Sequence, residues 1–181
     1  LEYTAKALSK FTDVHIGGVM GFPYGMDFTD IKVAQTKRNI QLGADELDMV
    51  MNLGLLLSGE FERVRDDIKA CVDVSENRPV KCIIETPLLS TDNIKRASEL
   101  VVVAGGTYVK TSTGFFGATE IDHVKTIKSV VGDDALIKAA GGVRTAKQID
   151  AFIDAGANRF GIGLQSAVNI LENNKEVLSD Y

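Results

Sequence analysis

The sequence predicts an α/β fold on a parallel sheet, and three observations lead there. Short apolar runs alternate with amphipathic helical patterns, six times in succession. The connections between them are short and marked by glycine or proline. Strict strand–helix alternation of this kind gives parallel strands joined by helical crossovers. Polar, chemically capable residues also stand at the carboxyl ends of the strand runs: Asp48 and Asn52, Glu85 and Thr86, Lys110, and Lys138. A doubly wound open sheet would hold the outer ones too far from its central crevice to cooperate. A closed barrel brings every such end to one mouth, so the pattern favours a (β/α)8 TIM barrel. A full barrel needs two more strands than the six read here, and typically about 250 residues.

Taken in order, residues 1 to 10 read as the end of an amphipathic helix with Leu1, Ala5 and Leu8 on one face. Val14 to Met20 is the first strand, closed by the loop Gly21 to Gly25, where Pro23 cannot continue a ladder. Thr29 is a candidate N-cap for a helix to about Leu42, with Ile31, Ala34 and Ile40 as its apolar stripe and Gly43 after its end. Glu46 to Met51 is the second strand. A helix from about Glu60 to Glu76 buries Phe61, Val64, Ile68 and Val72.

Val80 to Glu85 is the third strand, a near-continuous apolar run of the kind buried on both faces, and Pro87 ends it. Helix Thr91 to Ala104 stops at Gly105-Gly106, and Thr107 to Lys110 is the fourth strand. Thr119 is the expected cap of a helix to about Val131. Leu136 to Ala139 is the fifth strand, followed by Gly141-Gly142 and a helix capped by Thr145 that runs to about Ala155. Arg159 to Ile162 is the sixth strand, and a last helix starts near Gln165 and ends near Asn173. The whole reads as a single domain, residues 1 to 181.

Composition excludes several classes of function. Charged residues are 25% and the net charge is −5, with no dense lysine/arginine run, which argues against nucleic acid. No apolar run approaches the roughly 18 residues of a membrane span. Cys71 and Cys82 have neither metal nor redox spacing and read as reduced core residues of a cytoplasmic protein. No histidine or carboxylate cluster has metal spacing, so no metal is expected. The Gly-x-Gly pairs lack dinucleotide spacing, so no nicotinamide cofactor is expected. His15 and His123 read as structural.

The chemistry centres on Lys110. A lysine at the end of a buried strand must desolvate its ammonium, and a lysine pushed toward neutrality is a nucleophile that forms Schiff bases. Alone it would be a snorkelling surface residue. Lys138 changes that reading, because it ends the next strand, about 4.8 Å away if the two are paired. Two ammonium groups so close disfavour each other's charge, which pushes both pKa values down. Asp48, at the end of the second strand, could stabilise the remaining charge and relay protons. Gly141-Gly142 and Gly161 with Gly163 precede helix starts, where backbone N–H groups suit a phosphate, and Arg144 could assist. In barrels the usual phosphate site follows the last two strands.

These segments together resemble the deoxyribose-phosphate aldolases, class I enzymes working through a Schiff-base lysine. The matching pieces are Gly21 to Gly25, Gly43 to Val50, Ile83 to Thr86, Val109 to Gly114 and Lys138 to Thr145, in family order. The resemblance implies a (β/α)8 barrel, with Lys110 as the Schiff-base lysine, Lys138 as the neighbour that lowers its pKa, and Asp48 as a proton-relay acid/base. It implies a sugar phosphate held by Gly114, Gly141, Gly142, Arg144 and Gly161, and no cofactor. The reaction implied is reversible cleavage of 2-deoxy-D-ribose 5-phosphate to D-glyceraldehyde 3-phosphate and acetaldehyde. The partners implied are that sugar phosphate and the aldehyde, with a homo-oligomer compatible.

Three departures from the family pattern shape the alternatives. Gly163-Leu164 stands where a serine pair usually holds the phosphate, and Phe115 stands where some members carry a lysine. These changes leave open a Schiff-base aldolase acting on another aldehyde or ketose. The family's first two strands are not found in the chain, and Leu1 enters midway through the second helix, so a barrel lacking its first two strands is expected. That leaves open a non-catalytic barrel relic that binds sugar phosphates or a partner chain. Some relatives fold a C-terminal tyrosine toward the site; Tyr181 ends this chain and is read as a coincidence.

Overall fold

A computed structural model describes residues 1–11 and 13–173. Six parallel strands form one sheet in chain order. They are β1 (Gly17–Met20), β2 (Glu46–Val50), β3 (Val80–Ile83), β4 (Tyr108–Lys110), β5 (Leu136–Ala140) and β6 (Arg159–Gly161). The helices are α1 (Glu2–Leu8), α2 (Thr29–Gln41), α3 (Leu53–Leu57), α4 (Phe61–Asp73), α5 (Thr91–Val103), α6 (Ile121–Val131), α7 (Ala146–Asp154) and α8 (Leu164–Asn173). The Tyr181 reading lies outside the described residues.

Strand parity divides the sheet into two faces. Leu47, Met49, Val80, Cys82, Val109, Ile137 and Ala139 point to the helical layer and join Val64, Ile68, Ile94, Val101, Val124, Ile127 and Phe152 in one buried core. Fully burying each large aliphatic here contributes roughly 1.5–3 kcal/mol. The other parity carries Glu46, Asp48, Lys81, Lys110, Lys138 and Arg159, so the inner face is largely ionic. In a flat sheet β2 and β6, four ladders apart, would lie roughly 19 Å from each other. Yet Arg159 Nη1 on β6 meets Glu46 Oε1 on β2 at 2.5 Å. The sheet therefore curls, closing its polar face inward.

Local sequence explains most element ends. Ser90 caps α5, its hydroxyl accepting from Asn93 N at 3.3 Å, and Ile94, Ala97, Ser98 and Val101 form its buried stripe. Thr145 and Gln148 form a reciprocal capping box on α7. The short α3 was not expected from the pattern; Asn52 starts it by accepting from Leu55 N at 3.1 Å. β3 ends at Ile83 rather than Glu85, and a 3-10 turn, Thr86–Leu88, follows it. β1 starts at Gly17 rather than Val14.

Three details correct the sequence reading. Thr29 is inside α2 and Phe28 is its N-cap; the Thr29 hydroxyl instead donates to Asp67 Oδ1 at 2.8 Å. Glu120, not Thr119, caps α6, in a box closed by His123 Nδ1. On α2 the buried residues are Lys32 and Thr36, while Ile31 is exposed. The helix is turned because Lys32 is held from both sides: Nζ donates to Asp67 Oδ2 of α4 at 2.6 Å and to the Val50 carbonyl of β2 at 3.1 Å. The α1 face is as read, with Leu1, Ala5 and Leu8 half-buried.

Candidate active site

Asp48 organises the inner face. It sits in the middle of β2 rather than at its end, opposite Lys81 of β3. Lys110 and Lys138 are register partners on β4 and β5, the neighbouring position the sequence implied. Both ammonium groups converge on one oxygen: Asp48 Oδ2 lies 2.6 Å from Lys110 Nζ and 2.8 Å from Lys138 Nζ. The curl makes this convergence feasible, since β2 and β5 are not neighbours in the sheet. The two lysine side chains stay 11% and 14% exposed, enough for a small carbonyl compound to reach them.

Sequence reasoning missed Lys81. It is fully buried, and its Nζ contacts Asp48 Oδ1 at 3.0 Å and Glu46 Oε2 at 2.7 Å. Three ammonium groups thus surround one carboxylate. Burial pushes the Asp48 carboxyl up, but Lys110, Lys138 and Lys81 together hold it far below the usual carboxylate range. Glu46 follows the same logic: burial raises it, while Lys81 and Arg159 bring it below its ordinary value. Burial and the like charge of Lys110 hold Lys138 below the ordinary lysine value, against the pull of Asp48. A lysine so placed surrenders a proton more easily, and Asp48 stays anionic and stabilises the ammonium charge that remains.

A cleft of about 400 Å³ opens beside Lys110. It is lined by Ser112, Gly114, Gly141, Gly142, Arg144, Gly161 and Ser166, among others. Every residue assigned to phosphate binding from sequence is therefore in one place. Gly141 and Gly142 have φ of 91° and 77°, and a Cβ there would meet Ser112 Oγ at 2.9 Å and Ala118 Cβ at 2.7 Å. Only glycine fits that turn. Gly114 N is already bonded to Ser112 Oγ at 2.9 Å. Ser166, in the first turn of α8, supplies a hydroxyl near the position where Gly163-Leu164 lacks one. A serine two residues past Leu164, in an expected first helical turn, was the available signal.

The loop after Lys110 is clamped from the segment that follows β3. Glu85 is buried, with φ 52° and ψ 58°, and accepts from Ser112 Oγ and Thr113 Oγ1, both at 2.5 Å. Beyond Gly114, Phe22 meets Phe115 edge-on at 5.7 Å, and Tyr24 meets Phe116 at 5.9 Å. Phe115 thus packs on the loop that follows β1. A larger groove, about 610 Å³, lies between α6 and α7 and contains none of the strand-end groups. The ionic chemistry favours the smaller cleft.

Cys71 and Cys82 are free and buried, and burial pushes the Cys71 thiol up to about 11, which suits inert core residues. Among the described residues, no cluster of three or more His, Cys, Asp or Glu could hold a metal, and no helix is long and apolar enough to cross a membrane.

Residues 2–172 match the model of the DeoC/LacD family aldolases. The chain belongs to this family. It is 44% identical to deoxyribose-phosphate aldolase 1 of Staphylococcus aureus strain MRSA252, over 100% of this chain and 81% of that protein. The solved structure of QR15, an aldolase, superposes with a TM-score of 0.90 at 34% identity, covering 97% of this chain and 79% of that one. The tetrameric deoxyribose phosphate aldolase of Aeropyrum pernix gives a TM-score of 0.82 at 28% identity, covering 97% and 73%. The chain is thus a member of a lyase family, with the α/β, parallel-sheet architecture of its solved relatives.

Proposed function

We propose that this chain catalyses the reversible cleavage of 2-deoxy-D-ribose 5-phosphate into D-glyceraldehyde 3-phosphate and acetaldehyde through a Schiff base on Lys110. The observation that carries the reading is the shared Asp48 oxygen: two lysines converge on one carboxylate oxygen beside an open cleft. Lys110 attacks the substrate C1 carbonyl and water leaves, giving an iminium. The base that removes the C3 hydroxyl proton starts the break of the C2–C3 bond. The bonding electrons move into the iminium as an enamine, and glyceraldehyde 3-phosphate departs. Protonation of the enamine carbon and hydrolysis then release acetaldehyde and the free lysine. Lys138, with its ammonium held below the ordinary value, and anionic Asp48 are the pair assigned to these proton movements, through water.

The cleft supports a phosphate at Gly114, Gly141, Gly142, Arg144 and Gly161, with the Ser166 hydroxyl added. In the same reading residues 1 to 181 form one domain, and the six curled strands are six of the eight in a (β/α)8 barrel. A TM-score of 0.90 to an aldolase of which the chain spans 79% supports that. The tetrameric relative supports a homo-oligomer.

The test compares acetaldehyde release from deoxyribose 5-phosphate and from deoxyribose. The phosphorylated sugar is expected to have the higher kcat/KM by at least about tenfold, the effect of one or two charge-assisted hydrogen bonds. Equal efficiency would remove the phosphate assignment and favour an unphosphorylated aldehyde or ketose.

A further inference from the structure

Given the Schiff-base reading above, we propose that Lys81, backed by Glu46, is a positioning residue that sets the protonation of the Lys110–Lys138 pair by occupying the second oxygen of Asp48. Lys81 is fully buried, so it cannot touch a substrate. Its reach is through Asp48. That carboxylate has two oxygens: Oδ2 serves Lys110 and Lys138, and Oδ1 serves Lys81 at 3.0 Å.

The charged and titratable groups facing Asp48 come from five strands. Glu46 is two residues before it on β2, and Lys81 is on β3. Tyr108 and Lys110 lie on β4, Lys138 on β5, and Arg159 on β6. Lys81 Nζ lies 5.9 Å from the Tyr108 ring centre. Glu46 joins Lys81 at 2.7 Å and Arg159 at 2.5 Å. These are four cations on two carboxylates; Lys81 and Asp48 are buried, where charges are weakly screened, while Arg159 reaches solvent.

The shortage of negative charge has a chemical consequence. If Asp48 faced only Lys110 and Lys138, its whole charge would hold them protonated. Lys81 takes a share of that charge and adds its own repulsion, so a proton leaves the pair more readily. Glu46 works against this by neutralising Lys81, and Arg159 draws on Glu46 in turn. The two lysines share one carboxylate oxygen, so the quantity to measure is the acid limb of Lys110 reactivity.

The test is the pH dependence of Lys110 trapping by acetaldehyde and borohydride, read by peptide mass spectrometry on the full-length protein. In Lys81→Met the acid limb is expected to move to higher pH, by on the order of one unit. Lys81→Arg keeps the charge and is expected to bring it back toward wild type. Glu46→Gln removes a negative charge while keeping the shape, and its limb is expected to move to lower pH. Structural damage would push both neutralising variants the same way, so opposite shifts support the role. Unmoved limbs, or shifts of one sign, overturn it while leaving the Schiff base intact. If Lys81→Met does not fold, Glu46→Gln decides alone: a downward shift supports the role and an unmoved limb overturns it. A wild-type protein that forms no adduct overturns both readings.

Discussion

The molecule buries lysines in two ways. Lys32 meets one carboxylate, Asp67, at 2.6 Å, with a backbone carbonyl and the Thr29 hydroxyl completing the set. The charges balance and the hydrogen bonds are satisfied. Around Asp48, three ammonium groups share one carboxylate and part of another. The first arrangement is closed, and it fixes α2 against α4 and β2. The second is left short of negative charge at the mouth of a cleft. Balance marks a structural ion pair; deliberate imbalance beside solvent marks chemistry.

Substitutions in the two clusters should therefore have opposite signatures. Lys138→Met is expected to reduce kcat/KM by roughly 10²–10⁴, the usual contribution of a positioned acid–base group. The same variant should not lose thermal stability. A lysine held below its ordinary value binds fewer protons folded than unfolded, so its charge opposes folding at neutral pH, and the penalty fades as pH rises toward the ordinary lysine value. A drop in Tm of several degrees in Lys138→Met would erase the distinction.

Asp67→Asn reverses the pattern. It strips a buried ammonium of its counter-charge, which is expected to cost about 3–5 kcal/mol in denaturant unfolding. Turnover in the surviving folded fraction should keep its pH profile. A shifted profile would mean that the two clusters communicate.

Acid should separate them further. Asp48 and Glu46 are held below their ordinary values. They bind fewer protons folded than unfolded, so their stabilisation is present above about pH 4 and is lost as pH falls through the folded values. Asp48→Asn is expected to flatten that acid slope in unfolding measurements between about pH 5 and 2. An unchanged slope would show that the carboxylate is not ionised by its lysines. The smallest effect is expected from replacing Lys32 and Asp67 together by Met and Leu. A balanced buried pair exchanged for apolar groups should change stability by only about 1–2 kcal/mol in either direction.

The two clusters were unequally visible in the sequence. Lys110 ends β4 and Lys138 sits in the middle of β5, two residues short of its end, but both lie close to turn glycines, so local pattern alone put them on neighbouring strands at one mouth. The glycine turns were legible for the same reason, because Gly141-Gly142 leaves no room for a side chain. Lys81 was hidden inside an apolar run, although a charge in such a run is itself a signal: strand parity places it on the same face as Asp48. Lys32 was harder. Its partner Asp67 is 35 residues away, and the apolar residues Ile31 and Ala34 pointed to the wrong helix face. The curl that joins β2 to β5 and β6 depends on contacts across the whole sheet, which no local window contains. The left-handed turn at Glu85 had no sequence signal, since glutamate rarely adopts it.

The central claim is that Lys110 is the nucleophile because, of the lysines in the cluster whose charges do not balance, it is the one that lines the cleft. The most direct measurement treats the full-length protein with acetaldehyde and borohydride near neutral pH and maps the modified peptide. An ethyl group on Lys110, with Lys32 and Lys81 unmodified and the label lost in Lys110→Leu, is the predicted result. A label carried by Lys138 instead, or no label at all, would contradict it.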